Sequence, residues 1–142
     1  MDGRRGEHLA ETITTAVASH DPGTWAAMFA EDATYTIPDT PEPIRGRPAL
    51  EAVAAVFFSA FPDMAFVVRS VIEQDNVVVL EAATTGTFTG PMPTPGGDVP
   101  PTGKSYTAPL VAVCELTGTG LIANCREYYD TAAFAAQIGM TG

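Results

Sequence analysis

The hydrophobic pattern of this chain changes period once, at "FPD", residues 61–63, and that switch constrains the fold more than any other feature. Before it, the long apolar patterns are helical; after it, the period becomes two over four strand candidates. In 7–19, Leu9, Ile13, Ala16 and Val17 form one helical stripe. Asp21 is a natural cap for a second, short helix, Pro22 suits its first position, and Trp25, Met28 and Phe29 give it an apolar side. Pro48 opens a third helix with Leu50, Val53, Phe57, Phe58 and Phe61 as its buried stripe. Between the second and third helices, "ATYTI" at 33–37 reads as a short strand and "PDTPEPIRGR" as loop. After the switch, strands are predicted over 64–74, 77–88, 104–116 and 121–130, with "QDN" and "TGTG" as tight connections. A last short helix covers 131–138.

Helices followed by an antiparallel meander define the α+β class. The expected architecture is a cone-shaped barrel: a curved antiparallel sheet packed on three N-terminal helices, with a short C-terminal helix. A length of 142 residues suits one domain, 1–142, with its core at about 7–138. The segment "TGPMPTPGGDVPPTG" is too rich in proline for a central strand, so 89–102 is expected to be a semi-rigid loop covering the cavity mouth.

Alternation also separates the two carboxylates of "NCREYYDTAAF". In 121–130 the odd positions, Leu121, Ala123, Cys125, Glu127 and Tyr129, are the more apolar set and should face the helices. In the partner strand the even positions from Tyr106 to Leu116 are apolar or aromatic. A four-residue turn at 117–120 would pair Leu116 with Leu121, Ala112 with Cys125 and Leu110 with Glu127. The strand at 77–88 turns Val78, Leu80, Ala82, Thr84, Gly86 and Phe88 inward by the same logic, and Glu81 outward toward Arg69.

Glu127 is thus expected as the one ionisable group on an apolar interior wall. Burial raises a carboxyl pKa, which suits a general acid or base near neutral pH. The competing reading is a carboxylate satisfied by a tyrosine hydroxyl or a backbone N–H. Asp130 ends the strand, where it can cap the last helix or act as a further acid. Tyr35 and Tyr129 complete the candidate catalytic set. Trp25, Phe57, Phe61, Phe88, Tyr106, Leu110 and Ala112 are the candidate substrate-contacting walls, and Asp39 is a second-acid candidate at the mouth.

The net charge of −10, with no basic patch, excludes nucleic acid and anionic membrane as partners. No apolar run reaches membrane-spanning length, and "MDGRRGEHLAET" has no signal-peptide core, so a cytoplasmic protein is expected. Cys114 and Cys125 lack a CxxC spacing and read as reduced, buried residues. His8 and His20 are separated and lack a carboxylate cluster, so no metal and no cofactor are expected.

The order "FAEDATYTIPD", "IRGRPALEAV", "FPDM", "GTFTG", "PPTGKSY" and "REYYD" resembles the SnoaL-like polyketide cyclases over roughly 7–138. These share the nuclear-transport-factor-2-like cone fold with ketosteroid isomerase and limonene epoxide hydrolase. The resemblance implies a catalytic acid at Glu127, and a homodimer formed through the outer sheet face with Val111, Val113 and Tyr128. It also marks departures. The second carboxylate and the arginine of the epoxide hydrolases fall at Thr84 and Ala82, and their water-binding pair at Tyr35 and Ile37. The two aspartates of ketosteroid isomerase fall at Ile37 and Ala112, and the histidine of "GTHTG" at Phe88.

One inward acid with tyrosines can move a proton on a substrate that carries its own nucleophile. The expected function is therefore a cofactor-independent cyclase or isomerase. Its substrate would be a small apolar or amphipathic polyketide or terpenoid intermediate, handled by ring closure or epoxide opening. An epoxide hydrolase and a non-catalytic binding or dimerisation module are the alternatives. A cavity adjoining Glu127 would favour the enzyme, and a filled core around it would favour the module.

Overall fold

The computed structural model describes residues 4–140; residues 1–3 and 141–142 of the expected 1–142 domain lie outside the described residues. Three helices come first: α1 (Arg4–Ser19), α2 (Pro22–Ala26) and α3 (Arg47–Ala60). The strands are β1 (Phe29–Thr36), β2 (Ile44–Arg45), β3 (Ala65–Gln74), β4 (Val77–Thr87), β5 (Ser105–Leu116) and β6 (Ile122–Tyr128). Helix α4 (Thr131–Gln137) follows. This is the expected α+β architecture, with helices packed against a curved sheet that stays open at its two edges, β2 and β3.

Local chemistry sets the element ends. His20 adopts a left-handed φ of 55° just after α1, and its ring nitrogen lies 2.9 Å from the Met64 carbonyl oxygen. Asp21 caps α2, accepting from the Gly23 N–H at 3.2 Å and from the Thr24 hydroxyl at 2.7 Å. Asp130 does the same for α4, accepting from the Ala133 N–H at 3.0 Å. Asp75, at φ 55°, makes the two-residue turn between β3 and β4.

The sheet order is β2-β1-β6-β5-β4-β3. β3 to β6 form the antiparallel meander, while β1 joins β6 in parallel. The short β2 lies within a segment expected to be loop, and it pairs with β1 at the edge. Long strands with clear alternation announce themselves, whereas a two-residue edge strand depends on its neighbour.

The β5–β6 register corrects the expected one. Ala112 faces Glu127 and Cys114 faces Cys125, two residues away from the pairing that the turn length suggested. A two-residue shift keeps every side chain on its own face, so the inward placement of Cys125, Glu127 and Tyr129 survives it. A bulge at Ala123 reverses the parity nearer the turn. Ile122 is buried there, Ala123 is exposed and Leu121 is half-buried. Outside, Glu81 accepts from Ser70 at 3.0 Å rather than pairing with Arg69, because β3 carries an irregularity at Arg69.

Two apolar clusters fill the interior. The larger lies between the helices and the sheet, from Leu9 to Cys125. Cys114 and Cys125 are free thiols buried within it, with sulfurs 3.4 Å apart. The smaller joins Ala60, Phe61, Phe88, Tyr106, Ala108 and Ile138 near α4. Met92 and Val99 of the proline-rich loop pack on this smaller cluster and bridge to each other. The loop is pinned to the end of α3: a Cβ at Gly90 would stand 1.9 Å from the Ser59 carbonyl oxygen, so only glycine permits this approach. The loop therefore covers the smaller cluster, and none of its residues lines the cavity described below.

Candidate active site

A cavity of about 90 Å³ opens between α1, α3 and the inner sheet face. Its walls are mostly aromatic and aliphatic. Trp25, Val53, Phe57, Met64, Tyr129 and Phe134 are its partly exposed apolar and aromatic lining residues, and Thr84 and Glu127 its partly exposed polar ones. The polar groups on the wall are few: Glu127, Thr84 and the hydroxyls of Tyr35, Tyr106 and Tyr129.

Glu127 projects from β6 opposite Ala112, whose methyl leaves the space over the strand open. The parallel pairing sets Tyr35 beside Cys125, two residues before Glu127. Two strand residues span roughly 6.6 Å, about the reach of a phenol. The Tyr35 hydroxyl donates to Glu127 Oε1 at 2.8 Å. Its ring is held by Trp25 and Phe29, with centroids 5.3 and 5.9 Å away. The carboxyl is thereby oriented through one oxygen, leaving Oε2 for another partner.

The electrostatics follow from burial. Glu127 keeps some residue exposure because the cavity is open, yet its carboxyl lies deep among apolar groups. Burial pushes its pKa up to about 7, against the pull of the Tyr35 hydrogen bond. Burial, followed by the nearby Glu127, raises Tyr35 well above the ordinary phenol range, so it stays a donor. The Tyr129 hydroxyl faces the Asp39 carboxylate; burial first and then Asp39 raise its pKa. Asp39 stands at the rim as an exposed residue, and partial burial raises its own carboxyl.

The structure brings Glu127, Tyr35, Tyr129, Tyr106, Trp25, Phe57 and Leu110 to one cavity. Other expected residues stand elsewhere. Phe61 and Phe88 pack in the smaller cluster behind the wall: Phe61 leaves the helix as the C-cap of α3, at φ −126° and ψ 77°, and Phe88 follows the end of β4. Ala112 lies under Glu127, too short to reach the cavity space. Asp39 borders the mouth without lining the cavity, and the Asp130 carboxylate is engaged in capping α4.

Phe134 is a lining residue that sequence reasoning missed. Its spacing to Ile138, one helical turn, was the available signal: these are the only large apolar residues of the last helical segment. Among the described residues, no group of three or more His, Cys, Asp or Glu is placed to hold a metal, and no helix is long and apolar enough to cross a membrane.

Solved structures share this fold closely. A proposed SnoaL-like polyketide cyclase from Jannaschia sp. CCS1 superposes with a TM-score of 0.80 at 22% identity, covering 98% of this chain and 94% of its own. IdmH, a proposed polyketide cyclase from Streptomyces antibioticus, gives 0.74 at 23% identity, with coverage of 94% and 98%. A protein with a ketosteroid isomerase-like fold from Catenulispora acidiphila DSM 44928, solved with trimethylamine, gives 0.77 at 19%, with coverage of 94% and 93%. At these identities the likeness concerns the fold. Comparison with curated proteins gave no match. The sequence itself matches the SnoaL-like domain over residues 10–125, most of its length, and the chain belongs to the SnoaL-like domain family.

Proposed function

We propose that this protein is a cyclase or isomerase that closes or rearranges a small, largely apolar natural-product intermediate, a polyketide or terpenoid, by general acid/base catalysis at Glu127. The single observation that carries the reading is a carboxyl with a pKa of about 7 on the wall of an apolar cavity, oriented through one oxygen by Tyr35. A group titrating near neutral pH is present in both protonation states, so it can take a proton and return it within one turnover. Membership of the SnoaL-like family supports a reaction of this kind.

In the proposed mechanism Tyr35 holds Oε1, and Oε2 exchanges the proton with the substrate. The apolar walls fold the substrate so that its own nucleophile meets its electrophile, which replaces a bimolecular step by an intramolecular one. The free volume is small beside the roughly 300–1,000 Å³ of typical drug-sized pockets. A multi-ring substrate therefore enters by displacing rim side chains such as Phe57 and Phe134. Hydrolytic epoxide opening is the second reading. It is disfavoured by Thr84, which cannot deprotonate a water as a carboxylate would, and by Ile37, which cannot hold one as a carboxamide would.

The protein acts without a cofactor and as a homodimer in this reading. The dimer face is the outer sheet surface, where Val111 and Tyr128 pair across β5 and β6 and are both exposed.

Glu127→Gln tests the assignment. General acid/base groups typically contribute 10²–10⁴-fold, so turnover of a cyclising substrate should fall by about that factor. Survival within a few-fold refutes the role. Absence of oxygen-18 transfer from labelled water into product separates ring closure from hydrolysis.

A further inference from the structure

We infer that Tyr106, with Thr84 beside it, forms a second polar subsite that receives a ketone or hydroxyl oxygen of the substrate, away from Glu127. The inference rests on the reading of the cavity as a substrate site.

Tyr106 is 3% exposed, and its enclosed hydroxyl has no hydrogen-bond partner. Buried hydroxyls in folded proteins nearly always have one. The ring cannot swing to find a partner elsewhere. It lies over Gly86, directly opposite on β4, where an added Cβ would stand 2.9 Å from the ring. Phe61 and Phe134 pack edge-on against it, with centroids 5.0 and 4.7 Å away. Thr84, on the same cavity wall, lies close to the hydroxyl without forming a hydrogen bond to it.

The other two tyrosine hydroxyls on the wall each face a carboxylate. Tyr35 and Glu127 bond to each other, and Tyr129 faces Asp39. Tyr106 is the donor left over. Along β5 it stands six residues from Ala112, the residue opposite Glu127, on the same face. That is roughly 20 Å along the strand backbone at about 3.3 Å per residue, so Tyr106 and Glu127 reach the same cavity from separate points of the sheet.

The chemistry of the subsite selects its ligand. Burial pushes the Tyr106 pKa up to about 12, so it is a neutral donor at physiological pH. No Lys or Arg lines the cavity, which leaves an anionic group uncompensated. A neutral carbonyl or hydroxyl oxygen satisfies both constraints. The substrate class is then an apolar ring compound with two oxygen functions, one anchored at Tyr106 and one at the reacting end near Glu127.

The test uses the isosteric probes acetophenone and α-methylstyrene, which differ by C=O against C=CH₂, titrated into the folded protein by ¹H–¹⁵N NMR. Tyr106→Phe is expected to weaken acetophenone at least fivefold and to leave α-methylstyrene within twofold. Glu127→Gln should leave that difference in place whatever it does to turnover, which separates failure of the subsite from failure of the acid/base assignment. Thermal unfolding gives an independent arm: removing an unpartnered hydroxyl should leave the Tm unchanged or raise it by a few degrees. The proposal is overturned if Tyr106→Phe affects both probes alike or neither, if acetophenone does not bind the wild type up to its solubility, or if the Tm falls by several degrees.

Discussion

Tyr35 and Glu127, 92 positions apart in the sequence, share a hydrogen bond of 2.8 Å. The bond exists because β1 enters the sheet parallel to β6, beside the strand that carries the glutamate. It orients a carboxyl that burial has made weakly acidic, and its consequences are measurable without a substrate.

Stability should depend on pH through Glu127. Its pKa in the folded protein, about 7, lies above its ordinary value of 4.5, so the native state holds the proton more tightly than the unfolded chain. Stability from this group is present below pH 4.5 and is lost as pH rises toward 7. At 1.36 kcal/mol per pK unit the loss is about 3 kcal/mol at pH 8. Glu127→Gln should therefore be more stable than wild type at pH 8, by up to about that amount, with the advantage shrinking below pH 5. Urea unfolding of both proteins across this range measures it, and a pH-independent difference would rule out a buried, titrating Glu127.

Tyr35→Phe removes the donor that favours the charged carboxylate. The Glu127 pKa should rise further, by about one unit for a hydrogen bond to a charged group. Carboxyl ¹³C NMR, with Glu127→Gln identifying the resonance, reads the shift directly. A fall in pKa would mean that the hydrogen bond does not act on the ionised form.

Asp130→Ala should cost about 1 kcal/mol of stability, the usual value for losing an N-cap. Turnover should stay within a few-fold, because the carboxylate bonds the Ala133 N–H and not the cavity. A hundredfold loss of turnover in a fully folded variant would instead place Asp130 in the chemistry.

Native mass spectrometry at low micromolar concentration should find a dimer. Tyr128→Glu should weaken it by about 30-fold, as expected for a buried aromatic anchor worth about 2 kcal/mol. A wild-type monomer at that concentration argues against the outer-face interface.

What the sequence determined by itself was carried by short-range periodicity. The helix-to-strand switch at residues 61–63 marked where the four-strand meander begins, and alternation placed Cys125, Glu127 and Tyr129 on the inner face. Alternation is a property of neighbouring residues, so it survived even a wrong register. Capping was legible for the same reason: Asp21 and Asp130 act on N–H groups two or three residues away. The tertiary structure decided what depends on distant partners. The bulge at Ala123 and the Ala112–Glu127 pairing come from how β5, β6 and β1 fit together, which no turn length specifies. The same holds for the wall of the cavity. Phe57 and Phe61 lie four residues apart on one helical stripe, yet Phe57 lines the cavity and Phe61 packs behind it. Spacing marks both as apolar. Only the end of α3 at Ala60, which leaves Phe61 on non-helical backbone, and the loop pinned at Gly90 determine which of them meets open space and which meets Phe88 and Tyr106.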